Sequence, residues 1–205
     1  MAAPTTFSIH AFVSAETATR QRILDAAATL LADRGYAALS TLAVQQAAGV
    51  SRGALLHHFP TSHDLTAALV AHLVTLNEAA TRAEVAALGP ADPIERTLTA
   101  LSRTFARAPA RAEQELWSAA RTDPALAAVL RAAERAAGRD LVRVVDDLFG
   151  PDITAHPRYP AIRDLTITIL RGVSAARPLR ESSRAETATL AHWADTIRLL
   201  LGAVE

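Results

Sequence analysis

Between residues 40 and 63 the chain gathers hydroxyl, amide, guanidinium and imidazole side chains: Ser40, Thr41, Gln45, Ser51, Arg52, His57, His58 and His63. Groups of this kind suit phosphate oxygens and base edges, because donors on short helices can track an anionic backbone. Two other chemistries were weighed on the same residues. Adjacent His57 and His58 would point about 100° apart on a helix, so they do not share one ion easily, and no carboxylate nearby has clean ligand spacing. A Ser51, His58 and Asp64 set lacks any oxyanion hole, and Ser51 is better explained as a helix cap. The expectation is therefore nucleic acid, with no metal, no cofactor and no catalytic residue.

The elements that would position these side chains are legible in residues 40–59, STLAVQQAAGVSRGALLHHF. Ser40 can cap a short helix whose apolar side would be Leu42, Val44, Ala47 and Ala48. Gly49 falls where a chain turns left-handed at a helix end, a conformation costly for other residues. Val50 follows as a buried plug, and Ser51 can cap a second helix over Arg52 to His58. Leu55 and Phe59 would face inward there, leaving Arg52, Gly53, Ala54, Leu56, His57 and His58 more outward. Such a pair is a helix-turn-helix, whose second helix fits a DNA major groove.

From Arg22 to about Leu69 the chain resembles the tetracycline-repressor (TetR) family of transcriptional regulators. The resemblance rests on Arg22-Ile23-Leu24-Asp25-Ala26-Ala27, Gly35-Tyr36, Ser40-Thr41, Ala48-Gly49-Val50-Ser51, Gly53, Leu55 and His58-Phe59-Pro60, then Ser62 and Leu65. It implies an all-α fold, with an N-terminal three-helix DNA-binding domain and a larger helical domain for effector binding and dimerisation. It further implies a homodimer, a double-stranded DNA operator, a small-molecule effector and usually repression. Three positions depart from the family pattern. Leu56 stands where a Tyr commonly contacts phosphate, His63 stands where a Lys usually opens the fourth helix, and Gln45 replaces a small Ala. Phosphate contacts supply most non-specific affinity, so binding is expected to be weaker or more pH-sensitive than usual. The alternative reading is a relative that has lost operator binding and serves as a ligand- or protein-binding helical module.

Composition sets the frame. The 205 residues suffice for one or two domains, and half are apolar with few aromatics, a balance that favours helices packed through small side chains. Cys is absent, which removes disulfides, thiol nucleophiles and zinc ribbons and suits the expected cytoplasmic location. Net charge is zero and every basic residue is Arg. Residues 16–75 balance Arg20, Arg22, Arg34 and Arg52 against Glu16, Asp25, Asp33 and Asp64, so charge does not itself argue for DNA. No apolar run approaches the roughly 18 residues of a membrane span, and residues 1–15 lack the basic start of a secretory signal. A disordered arm is expected over 1–15, the DNA-binding domain over 16–62, and the effector-binding and dimerisation domain over 63–205.

Along the rest of the chain, a first helix is expected from about Thr17 to Arg34 and a fourth from near Ser62 towards Leu88. Gly89-Pro90-Ala91-Asp92-Pro93 reads as a break, with Asp92 capping the next helix. Pro109 ends that helix or opens the following one, and Asp123-Pro124 starts another that runs to about Leu148. Residues 150–160 read as a loop, followed by helices over about 161–176 and 184–204. Phe105, Leu116, Trp117, Leu130, Ile167 and Leu170 are candidate walls of an effector pocket, with a greasy or aromatic ligand favoured. Arg171, at the end of an apolar run, could hold an acidic ligand, although pairing with Glu or Asp or snorkelling is the commoner fate of such an arginine. Leu165, Ile169, Leu190, Trp193, Ile197 and Leu200 are candidate dimer contacts, because the last two helices pair across subunits in the family.

Overall fold

The computed structural model describes residues 6–88, 92–180 and 182–202. Ten α-helices make up this part of the chain: α1 (Thr6–Arg34), α2 (Thr41–Ala48), α3 (Arg52–His58), α4 (Ser62–Leu88), α5 (Pro93–Phe105), α6 (Ala108–Ala120), α7 (Pro124–Phe149), α8 (Pro151–Thr154), α9 (Tyr159–Ala176) and α10 (Arg184–Gly202). Among the described residues none is in a strand, and no helix is long and apolar enough to cross a membrane. The all-α class expected from sequence is what the chain adopts.

Boundaries follow local chemistry. Thr61 and Asp64 cap α4 reciprocally, with the Thr61 backbone N–H donating to Asp64 Oδ2 and the Asp64 N–H donating to Thr61 Oγ1, each at 3.1 Å. Asp92 accepts the Ile94 and Glu95 N–H groups at the start of α5, and Asp123 accepts those of Ala125 and Leu126 at the start of α7. Pro109 opens α6. Two boundaries differ from expectation. Helix α1 is already formed at Thr6, inside the stretch read as an arm, and no Gly or Pro interrupts residues 5–34 to stop it. The stretch read as a loop over 150–160 contains α8, because Gly150 turns at φ 80° and Pro151 then occupies the first helical turn. Residues 1–5, the centre of the Gly-Pro break at 89–91 and the chain end at 203–205 lie outside the described residues.

Two apolar cores hold the molecule. The first joins Ile23, Leu24 and Leu31 of α1, Val44 and Leu55 of the short helices, Phe59, and Leu65, Leu69 and Leu73 of α4 to Ala112 and Leu116 of α6 and Leu126 and Leu130 of α7. The second gathers Leu98, Leu101 and Phe105 of α5, Val145 and Phe149 of α7, Ile162 and Leu170 of α9, and Trp193, Ala194 and Ile197 of α10. Helix α4 is pinned to α1 by a polar link, since buried His72 Nε2 lies 2.8 Å from Asp25 Oδ1 with the Gln21 amide alongside.

This partition corrects several site assignments. Leu116 and Leu130 pack in the first core, between the first four helices and α6–α7, so they are not walls of a pocket within residues 93–175. Trp193 and Ile197 are buried within the protomer, where the Trp193 indole N–H donates to Thr166 Oγ1 at 2.9 Å, so they are not available to a partner chain. The apolar stripe on α10 is real, but its deepest members fill the groove formed with α5 and α9. Leu165 and Leu199 are exposed instead, on neighbouring stretches of α9 and α10, while Ile169, Leu190 and Leu200 are half-buried.

Candidate nucleic-acid interface and interior cavity

The turn between α2 and α3 has the geometry its residue types demand. Ser40 Oγ accepts the Ala43 N–H at 3.1 Å, and Ser51 Oγ accepts the Ala54 N–H at 3.1 Å. Gly49 is left-handed at φ 62° and ψ 38°, and its N–H donates to Gln46 O while the Val50 N–H donates to Gln45 O. That pattern is a Schellman closure, and Val50 packs back against the first core as its apolar partner. With both helices capped and Val44, Ala48, Leu55 and Phe59 buried beneath them, the outer face of the pair is fixed rigidly.

Thr41, Ser51, Arg52, Gly53, Leu56 and His57 are exposed on that face, as is Ser40 beside it. Both capping hydroxyls keep a proton to donate outward after accepting from the backbone. Gln45 and Ala54 are half-buried, and so is His58, whose ring lies 6.3 Å from that of Phe59. His63 is exposed at the start of α4 and lines a cleft with Tyr36, Thr41 and Asp123. Leu42 departs from the sequence reading: it is 59% exposed, and Ala47 is exposed too, so the buried side of α2 narrows to Val44 and Ala48. The reason is angular, since Leu42 lies about 200° from Val44 around the helix. His57 Nε2 meets Glu16 Oε1 of α1 at 3.2 Å, a contact that an approaching phosphate would compete for.

A second locus lies inside the helical bundle. A cavity of about 40 Å³ is lined by Val74, Asn77 and Glu78 of α4, Phe105 of α5, Glu113 of α6, Leu141 and Val144 of α7, and Arg171 of α9, among others. Of the expected pocket residues, Phe105 and Arg171 reach it. Trp117 adjoins it, with the Arg171 guanidinium 4.5 Å from its ring centre. Ile167 and Leu170 pack in the second core and do not line it. Helix α6 thus has two roles. Ala112 and Leu116 turn towards the first core, while Glu113, one position on from Ala112, lines the cavity and Trp117 packs between that core and Arg171.

Glu113 and its neighbour Glu134 were not singled out by sequence. Asn77 Nδ2 donates to Glu113 Oε2 at 3.3 Å, and the Trp117 indole N–H donates to Glu134 Oε1 at 2.5 Å. Burial, reinforced by the Glu134 carboxylate, pushes the Glu113 carboxyl up to about 7 against the weaker opposing pull of Arg171. Among the described residues no group of three or more His, Asp or Glu is placed to hold a metal ion.

Residues 23–69 match the sequence model of bacterial regulatory proteins of the tetR family, and this stretch spans the end of α1 through α3 into α4, the unit whose geometry is given above. Over this segment the chain is similar to the TetR family. It is 37% identical over 109 residues to the HTH-type transcriptional regulator CymR of Pseudomonas putida, covering 53% of this chain and 54% of CymR. It is 42% identical over 74 residues to the HTH-type transcriptional repressor LfrR of Mycolicibacterium smegmatis, covering 36% of this chain and 38% of LfrR. In these alignments the chain spans about half the length of the first relative and less of the second. A Rhodococcus sp. crystal structure described as a TetR-family transcriptional regulator superposes with a TM-score of 0.68 at 21% identity, over 89% of this chain and 98% of that one, which extends the TetR-like fold to the C-terminal helices.

Proposed function

We propose that the protein is a cytoplasmic, homodimeric transcriptional repressor that binds a pseudo-palindromic operator and is released by a small-molecule effector. One observation carries the reading. The five large apolar side chains exposed among the described residues fall in two parts of the chain: Leu42 and Leu56 on the α2–α3 pair, and Leu165, Leu179 and Leu199 on α9, α10 and the turn between them. A DNA face and a dimer face account for both. On the first face Arg52, His57, Thr41 and Ser40 supply polar contacts, while Leu42 and Leu56 offer apolar contact to sugars or thymine methyl groups. Dimerisation through α9 and α10 would set two recognition helices about 34–36 Å apart, one helical turn of DNA.

Release requires an effector with different affinity for two arrangements. Helix α6 supports such coupling, because Glu113 lines the cavity while Leu116 packs in the core shared with α1 and α4. A coupling of about 1–3 kcal/mol would change operator affinity roughly 5–150-fold.

The test is a mobility-shift titration of the full chain on its own upstream DNA, at low and moderate salt and at pH 6 and 8. A discrete, competitor-resistant shift that weakens with added salt is expected. Absence of any specific shift, there and in a genome-wide site selection, would overturn the operator reading in favour of a non-DNA-binding module. The phosphate argument has its own check. Leu56→Tyr and His63→Lys should each tighten operator binding, and His63→Lys should steepen the salt dependence by about one phosphate contact. If neither change nor the pair alters affinity, those positions do not face phosphate.

A further inference from the structure

Arg171 stands out because, among the described residues, its charge is met at a distance by Glu113 and by no ion pair. Its Nε is buried without a hydrogen-bond partner, and among the described residues no carboxylate oxygen lies within 4.0 Å of its guanidinium. Its guanidinium lies over the face of Trp117. The acids around the cavity are otherwise engaged. Glu78 meets Arg82 at 3.0 Å and Arg143 at 3.9 Å, Asp140 meets Arg143 at 3.0 Å, Glu134 accepts from Trp117, and Glu113 accepts from Asn77. A buried guanidinium N–H without an acceptor is costly, and a planar two-oxygen anion matches the guanidinium fork. Beside it, Phe105, Leu141, Val144 and Val74 supply an apolar wall.

We propose that this cavity binds a small monocarboxylate, with the carboxylate on the Arg171 guanidinium and a compact apolar body against Phe105, Leu141 and Val144. The inference rests on reading the cavity as the effector site and names the chemical class of that effector. A cationic ligand would meet Arg171 head-on and leave the guanidinium unanswered. At about 40 Å³ the cavity has room for little more than one water-sized group, so entry has to widen it, with the Trp117–Arg171 contact at its edge the place to open. Trp117 is one residue from Leu116, so that opening is felt directly by the core shared with α1.

A proton accompanies the ligand. Glu113 is faced by Asn77 and Glu78 from α4, by Glu134, Asp140 and Arg143 from α7, and by Arg171 from α9. With its carboxyl holding a proton up to about pH 7, Glu113 can donate to an incoming carboxylate; once ionised it repels one. Carboxylate affinity should therefore fall about tenfold between pH 6 and pH 8, and binding at pH 7.5 should take up protons.

The experiment is calorimetric titration of the full-length protein with benzoate, phenylacetate and hexanoate, beside benzamidine and benzyl alcohol as cationic and neutral controls. At least one carboxylate is expected to bind, more tightly at pH 6 than at pH 8, with a proton uptake that shows as a buffer-dependent heat at pH 7.5. Arg171→Gln should weaken it about 10–100-fold. Glu113→Gln, which retains a donor and the shape of the side chain but cannot ionise, should remove the pH dependence of binding and the proton uptake, and so serves if Arg171→Gln fails to fold. Tighter binding of benzamidine, carboxylate binding indifferent to both substitutions, or no carboxylate binding by a protein that shifts operator DNA would each overturn the ligand class. Carboxylate binding that obeys these rules in a protein with no operator would leave the class standing and overturn the repressor reading alone.

Discussion

Leu116→Ala should lower the melting temperature by roughly 4–20 °C, a larger loss than any surface substitution in this chain. Leu116 has no exposed surface and sits where α6 meets α1, α4 and α7. Truncating a fully buried leucine removes its transfer energy and leaves a cavity, about 2–5 kcal/mol in all. For a chain of this size each kcal/mol moves the midpoint by about 2–4 °C. Leu179→Ala is the matched control: Leu179 is 88% exposed, and its removal should stay within about 0.5 kcal/mol. Thermal melts of the two variants, followed by circular dichroism, decide the matter. Equal melting temperatures would mean that the first core does not extend from the first four helices into α6. The expected loss would instead establish the physical link by which the cavity side of α6 reaches the helix-turn-helix.

The parts of the molecule legible in sequence are those whose causes are local. Ser40, Gly49 and Ser51 specify two helix starts and one left-handed turn within a dozen residues, and each makes the hydrogen bond its type suggests. Asp92-Pro93 and Asp123-Pro124 mark helix starts for the same reason. Periodicity also identified the apolar side of α10, but it could not say what that side meets. Trp193 and Ile197 were read towards a partner chain, whereas they close the protomer's own second core. Leu116 and Leu130 misled in the same way, because an apolar helix face does not name its neighbour. The Leu42 reading failed on a finer point: an eight-residue helix buries only the i, i+4 pair Val44 and Ala48, and its second residue points away.

The cavity was harder still. Glu113, Glu134 and Asn77 come from three helices, and their partners lie 36 and 17 residues away in the chain. A glutamate in the middle of an Arg- and Ala-rich helix carries no local mark of burial. Arg171 did carry one, as a charge ending the run Leu165 to Leu170, with pairing to Glu or Asp, or snorkelling, as the expected resolution and an acidic ligand as the other. Among the described residues the fold supplies no carboxylate within ion-pair distance, and stacks it on Trp117 instead. Sequence therefore located the residue, and the stacking on Trp117 is the part it did not offer.

Glu113→Gln should stabilise the protein at pH 8 by up to about 3 kcal/mol and change little near pH 4.5. The sign follows from where the proton is held. In the unfolded chain the carboxyl has its ordinary value of 4.5, and in the fold it is raised to about 7, chiefly by burial and then by Glu134. The folded state therefore binds this proton more tightly. Below the unfolded value both states are protonated and no penalty exists. Between 4.5 and 7 the fold must either retain a proton that the unfolded chain has released or bear a buried charge, so stability declines across that window and levels off above it. A rise of this size corresponds to roughly 3 kcal/mol at about 1.4 kcal/mol per pH unit. Glutamine reproduces the protonated acid: its carbonyl can accept from Asn77 Nδ2 and its amide can donate towards Glu134. Urea denaturation of both proteins at pH 4.5, 6 and 8 gives the difference directly. A gap that widens with pH identifies Glu113 as the group that costs the fold stability when it ionises, whereas a gap independent of pH would place the titration elsewhere. The same destabilisation is what a ligand could exploit, since a molecule that binds only the protonated form recovers part of this energy at neutral pH and thereby biases α6 towards one of its two arrangements.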